Sequence, residues 1–357
     1  MTDPRAKKAA QILVDHSAKL KKGDYVQIIT DPEAKELALE VYKLALQRGA
    51  YPKIVVSLPG QSYIYYKYAS KEQLSKFPEI SYYEIKKTDA VIYIGAPNNT
   101  KELTNVDPKK ISIRQRVCKK ISDYRVNNTK WILYEYPTEA LAQDAEMSLE
   151  EFTDFAYNAT NVDWKKESKK QDKLKKILDK GKSVRIIGKN TDISFSIAGK
   201  KAIKCDGDHN MPDGEVFTEP VKHSINGYIT YDFPAIHGGR EVDGIRLEFK
   251  DGKVVKATAT KNEEFLKQML ETDSGSRYVG EFGVGVNYNI KKFIKNTLFD
   301  EKIGGTIHLA LGNAYQETGG ENSSAIHWDM IKDLRKGGKL YIDGKLVQEN
   351  GKFKFKL

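Results

Sequence analysis

"YVQIITDPEAKELALEVYKLALQRGAYPKIVVSL" (25–58) decides the character of the first half of the chain. The run "YVQIIT" (25–30) is short, apolar and β-branched, as a buried strand requires, and "PKIVVSL" (52–58) repeats it. Between them "DPEAKELALEVYKLALQRGA" (31–50) has helical spacing, with Asp31 as the expected N-cap and Pro32 at the first helical position, where a missing N–H costs nothing. Strand, helix and strand in that order make a βαβ unit, whose right-handed crossover leaves the two strands parallel. "DAVIYIGA" (89–96) and "KWILYEYP" (130–137) add two strands of the same buried type. The expectation is an α/β domain with a doubly wound, mostly parallel sheet. No Gly-x-Gly-x-x-Gly follows the first strand, so dinucleotide binding has no support.

The signals change near residue 185. In "GIRLEFKDGKVVKATA" (244–259) Asp251-Gly252 separates two alternating apolar runs, a strong hairpin signal. "DISFSIAGKKAIKC" (192–205) and "KLYIDGKLV" (339–347) have the same form, with turns at Gly199 and at Asp343-Gly344. "NEEFLKQMLET" (262–272) and "NYNIKKFIKNTLF" (287–299) read as helices. A chain of 357 residues exceeds the usual size of one domain. We therefore expect an N-terminal α/β domain over 1–185 and a C-terminal α+β domain with antiparallel sheet over 186–357.

Composition excludes several classes. No run of 18 or more apolar residues occurs and MTDPRAKKAA has no signal-peptide pattern, so a cytoplasmic protein without a membrane partner is expected. Cys118 and Cys205 stand far apart and form neither a disulfide framework nor a Cys-x-x-Cys clamp. The net charge of +10 is uneven: residues 1–185 carry 34 basic and 25 acidic side chains, residues 186–357 carry 25 and 24. Much of the excess lies in "KKESKKQDKLKKILDKGK" (165–182), where Leu174, Ile177 and Leu178 keep helical spacing among lysines, as in a solvated amphipathic helix. Neither zinc-finger spacing nor an RNA-binding aromatic motif accompanies the charge, so no nucleic-acid partner is expected.

Chemistry is concentrated in the second half. In "TIHLALG" (306–312) strand alternation puts Ile307, Leu309 and Leu311 on one face and His308 on the other. In "IHWD" (326–329) it sends His327 and Asp329 to one side and Trp328 to the opposite one, so an imidazole and a carboxylate can reach a common cation. "MPDGEVFTEP" (211–220) sets Glu215 after a Pro-Asp-Gly turn, and "YVGEFGVGVN" (278–287) sets Glu281 between Gly280 and Gly283, where little bulk impedes a metal or ligand. His209, His223 and His237 lie near these motifs and read as supporting or structural.

"DGEVFTEP", "GEFGVGVN", "LFDEKIGGTIHLALGNAY" and "SSAIHWDM", in that order, resemble the thermophilic metalloproteases of the aminopeptidase T and aminopeptidase S family. "PTEALAQDAEMSLEEFTDFAYNAT" (137–160) is compatible with the family's N-terminal α/β domain. The resemblance implies a dinuclear metallo-aminopeptidase that removes N-terminal residues from peptides and forms a homodimer. It implies Glu215, Glu281, Glu301, His308, His327 and Asp329 as metal ligands and Tyr315 as the catalytic tyrosine. Two divalent ions, zinc, cobalt, manganese or magnesium, would activate a shared water and polarise the scissile carbonyl. Tyr315 would donate its phenolic proton to the oxyanion, with Glu281 or Glu215 as candidate base. Two rivals use the same features: a metal-dependent phosphoesterase, and a non-enzymatic nucleic-acid-binding module resting on the basic first half.

Overall fold

The computed structural model describes residues 2–355. The chain divides into two compact units, one running to Asn161 with Gly207–Pro212 added, the other comprising Val162–Asp206 and the chain from Asp213 onward. Among the described residues no helix is long and apolar enough to cross a membrane.

In the first unit the βαβ reading becomes β1 (Tyr25–Thr30), α1 (Lys35–Gln47) and β2 (Tyr51–Val56), followed by β3 (Ala90–Gly95), α2 (Pro108–Asn128) and β4 (Lys130–Glu135). The order β2-β1-β3-β4 is parallel throughout, and Asn210–Met211 adds a short parallel strand beside β4. Val26, Ile28, Ile92, Ile94 and Ile132 are buried in the sheet, and α1 buries Leu37, Ala38, Val41 and Ala45 on one face. Asp31 does not cap α1. A 3-10 turn over Pro32–Ala34 precedes the helix, and the Asp31 carboxylate instead accepts the Ala96 N–H at 2.7 Å, tying the ends of β1 and β3.

The second unit starts with α3 (Trp164–Lys180), which buries Leu174 and Leu178 and leaves its lysines in solvent. An eight-stranded antiparallel sheet includes the expected hairpins at Asp251-Gly252 (φ +49° and +81°) and Asp343-Gly344 (φ +49° and +74°). Both residues of each turn lie in the left-handed region that a two-residue type I′ loop requires. The hairpin expected over 192–205 does not form. Thr191–Ser196 pairs with Ser183–Gly188 across a tight turn at Asn190, and after Ser196 the chain crosses into a different sheet.

That other sheet consists of β5 (Ile203–Cys205), β6 (Glu215–Thr218), β7 (Val279–Gly285), β8 (Thr306–Gly312) and β9 (His327–Asp333), antiparallel in the order β9-β8-β7-β6-β5. One of its faces buries Val216, Phe282, Val284, Ile307, Leu309, Leu311, Trp328 and Met330 against Ile186, Ile193, Phe195, Ile229 and Leu247 of the larger sheet. Each such aliphatic side chain contributes about 1.5–3 kcal/mol by leaving water.

Glu263–Leu270 is helical, whereas the helix expected over 287–299 is only the single turn Thr297–Asp300. Its asparagines and Asp300 bind backbone locally instead. The Asn287 side chain accepts the Asn289 N–H at 3.1 Å, and Asp300 accepts the N–H groups of Ile294 and Asn296 at 2.8 and 2.7 Å. Such bonds compete with the helical ladder. The segment returns to where it left, with Asn287 N–H donating to the Lys302 carbonyl, and so brings Glu301 and Lys302 back beside β7.

Candidate metal centre

The second face of the five-stranded sheet carries the polar residues. Register sets Glu215 opposite Gly285, Phe217 and His308 on either side of Gly283, Glu281 opposite Ala310, and Asp329 opposite Ala310 on the far side. The positions between the acids and imidazoles are thus glycine or alanine. A Cβ on Gly283 would fall 2.0 Å from His308 Nε2, so the imidazole occupies the volume that a larger residue would fill. Gly285 is constrained likewise, because a Cβ there would meet the Ile303 carbonyl at 2.2 Å.

All six acidic and imidazole candidates converge. Potential ligand atoms of Glu215, Glu281 and His308 lie within 4.8 Å of one another, as do those of Glu281, His327 and Asp329 and those of Glu301, His308 and Asp329. His308 Nε2 is 3.0 Å from Glu215 Oε2 and 3.2 Å from Glu281 Oε1. His327 Nε2 is 3.5 Å from Glu281 Oε2 and 3.6 Å from Asp329 Oδ2. Tyr315 sits at the edge, 40 % exposed, with its ring 5.3 Å from His327 and 5.5 Å from Phe217.

Lys302 was not anticipated. It is fully buried, donates to Glu215 Oε1 at 2.6 Å and makes a short contact with Glu301 Oε1. The only signal was its place beside Glu301 in "FDEKIGG", since a lysine after an acid reads as surface charge. Cys205 and Asp213 lie on the Glu215 side, and burial together with the carboxylates of Asp213 and Glu215 pushes the Cys205 thiol up, which keeps it protonated. The histidines near these motifs stay outside the cluster: His209 packs on Trp131, His223 on Tyr278 and His237 on Trp328.

The electrostatics are those of a crowded acidic site. Burial opposes ionisation of Glu215, but Lys302 and His308 outweigh it and hold its carboxyl below the ordinary range. Burial raises Glu281, with Glu215 and Asp329 adding to the rise against the His308 hydrogen bond. Burial also pushes Glu301 up to about 7, despite Lys302. For His308 and His327 burial favours the neutral ring, yet the surrounding carboxylates prevail and raise both. Tyr315 is raised by burial and by the negative field of the four carboxylates, so its hydroxyl keeps its proton.

These residues fit divalent cations. His308 Nδ1 and Asp329 Oδ1 are buried with no hydrogen-bond partner. His327 Nδ1 lies 2.9 Å from the Asn313 carbonyl, which fixes the tautomer and directs the Nε2 lone pair toward the acids. With both imidazoles neutral, as metal ligation requires, four carboxylates facing the single ammonium of Lys302 would carry a net charge of minus three. In the metal-free protein, protons on His308, His327 and the raised carboxyls offset that excess, and divalent cations would displace them.

The model of a family described as thermophilic metalloprotease (M29) matches residues 2–353. The chain belongs to this thermophilic metalloprotease family. Aminopeptidase 2 of Geobacillus stearothermophilus is 26% identical over 97% of this chain and 94% of its own length. Aminopeptidase T of Thermus thermophilus is 35% identical over a shorter match, 38% of this chain and 37% of its own. A solved structure titled wild-type AmpT from Thermus thermophilus has the same fold, with a TM-score of 0.87 at 22% identity over 98% of this chain and 99% of that one. The fold also occurs in 2,5-dihydroxypyridine dioxygenase from Pseudomonas putida KT2440, at a TM-score of 0.63 and 15% identity over 98% of this chain and 96% of that one. Because the fold recurs under that title, any account of this metalloprotease's chemistry must start from its site residues.

Proposed function

We propose that this metalloprotease is an aminopeptidase that removes N-terminal residues from peptides and holds two divalent cations with Glu215, Glu281, Glu301, His308, His327 and Asp329. The observation carrying the proposal is the pair of triads that share Glu281, one with Glu215 and His308 and the other with His327 and Asp329. When bound, the cations supply Lewis acidity toward the scissile carbonyl and a water of lowered pKa. Family membership speaks against the phosphoesterase reading.

The chain's own groups divide the proton work. Glu281 is the proton acceptor in this reading, since Glu215 is engaged by Lys302. Tyr315 retains its proton in the field of the carboxylates and offers its Oη–H to the oxygen that gains charge as the carbonyl is attacked. Lys302 offsets one carboxylate charge, so the set is not so negative that cations alone must neutralise it. The negative surroundings also suit a substrate α-ammonium, which selects the free N-terminus.

The test is removal and return of metal. Protein stripped with chelator should lose hydrolysis of aminoacyl chromogenic substrates, regain it with zinc or cobalt, and carry two ions per chain by elemental analysis. Activity that survives complete removal would end the proposal, and one ion per chain would reduce it to a mononuclear site. The same reading includes a homodimer without a nucleic-acid partner, checked by light scattering and by oligonucleotide titration.

A further inference from the structure

Tyr315 lies in the loop Asn313–Ile326, whose ends are joined by the Asn313 N–H to the Ile326 carbonyl at 2.7 Å. Beyond the tyrosine the chain makes a 3-10 turn over Gln316–Thr318 and reverses at Gly319, with φ +87°. Nothing in that exposed turn would by itself hold a phenol to a fraction of an ångström. The holding groups come from elsewhere in the same unit. Lys200 is only 8% exposed, and its ammonium spends its donors on Glu219 Oε1 at 2.7 Å, the Gly319 carbonyl at 2.7 Å and Glu321 Oε1 at 3.1 Å.

Glu219, four residues past Glu215 at the end of β6, is 2% exposed. Its second oxygen packs on Gly320, where a Cβ would come within 2.6 Å of it, and lies 3.5 Å from the Thr318 hydroxyl. That hydroxyl donates to the Tyr315 carbonyl at 2.7 Å, and the Lys201 N–H donates to the Thr318 carbonyl at 3.0 Å. A buried ion pair that touches none of the metal-ligand candidates is a costly feature, and breaking one partner is strongly destabilising locally. Its contacts all run to the backbone and side chains of residues 315–321.

We propose that Lys200 and Glu219 are positioning residues that latch the Tyr315 loop, so that the phenol stands at one distance from the metal centre. This inference rests on the reading of Tyr315 as proton donor. Removing the latch should spare metal and substrate binding and slow the step that uses the phenol.

The experiment compares Lys200→Met, Lys200→Arg and Thr318→Ala in the metal-loaded enzyme, each alone and with Tyr315→Phe. Hydrogen exchange first reads the loop itself, through the amides of Ala314, Gly319 and Gly320, which are bonded within it. In Lys200→Met these amides should lose protection while β8 keeps its own. Unchanged protection would overturn the latch, whatever Tyr315 does. Turnover then reads the consequence: kcat should fall about ten- to a hundredfold with KM and bound metal unchanged. Lys200→Arg should restore most of it, and Thr318→Ala should move in the same direction. In the Tyr315→Phe background Lys200→Met should cost nothing further. An equal loss in both backgrounds would overturn the positioning role. If Tyr315→Phe alone left kcat unchanged, the proton-donor reading would fail, and loop protection would still decide the latch. Should Lys200→Met not fold, Thr318→Ala, which removes one hydroxyl, carries the same two readouts.

Discussion

The five-stranded sheet has two faces built by the same residues in alternation, and they are held together by opposite physics. On one face Phe282, Val284, Ile307, Leu309, Leu311 and Trp328 are buried because water is expelled from them. On the other, Glu281 and His308 are buried, Asp329 nearly so and His327 in part, although water would solvate them better. The first face gains stability from each residue. The second accumulates like charge, leaves polar atoms unpartnered and reserves room with Gly283, Gly285 and Ala310. Alternation alone does not distinguish a solvated face from a functional one. What distinguishes them is a polar face that has been kept from water.

Substitution on each face sharpens the contrast. His308→Ala should reduce aminopeptidase activity to background, and adding chelator should leave its melting temperature unchanged. Gly283→Ala should do the same through the ring it displaces, since its Cβ would fall 2.0 Å from Nε2. Leu309→Ala, one residue from His308, should cost about 2–5 kcal/mol in denaturant unfolding while the folded fraction keeps its metal. If Leu309→Ala lost metal at full stability, or His308→Ala kept it, the two faces would not be separable in this way.

How much of this was legible in the sequence follows from the range of the forces involved. Alternation in "TIHLALG" and "IHWD" set the two faces because strand period is local, and the βαβ unit was legible for the same reason. The candidate ligands on the polar face could be named only by motif, since residues from 215 to 329 meet only through long-range strand pairing. Where local side-chain chemistry competes with the pattern, the reading failed. The asparagines of 287–299 replace a helix, Asp31 leaves its cap for Ala96, and the 192–205 run divides between two sheets. Lys302, Lys200 and Glu219 were invisible for a different reason. A charged residue in sequence reads as surface, and only the fold shows that these three are buried against specific partners.

A smaller effect separates metal binding from turnover on the polar face itself. Tyr315→Phe should retain two ions and an unchanged KM and lose about 3 kcal/mol of transition-state stabilisation, about a hundredfold in kcat. Unchanged turnover would return Tyr315 to a packing role against Phe217 and His327.

The two faces should also differ in their response to pH. In the metal-free protein burial disfavours protonated His308 and His327, yet Glu215, Glu281 and Asp329 reverse this and raise both. A raised folded value means that the bound proton stabilises the metal-free fold fully below the unfolded value of about 6.5, and that this stabilisation is lost as pH rises through the folded value. Cations compete for the same nitrogens. Apparent metal affinity should therefore climb with pH by about tenfold per unit for each proton displaced, levelling off above the raised histidine values. Competition with a chromophoric chelator across that range measures it. The cost of Leu309→Ala, measured in chelator, should stay flat over the same range, because neither Leu309 nor its aliphatic neighbours titrate. A pH-independent metal affinity would mean that the imidazoles are not ligands, and that the polar face owes its burial to the Lys302 network alone.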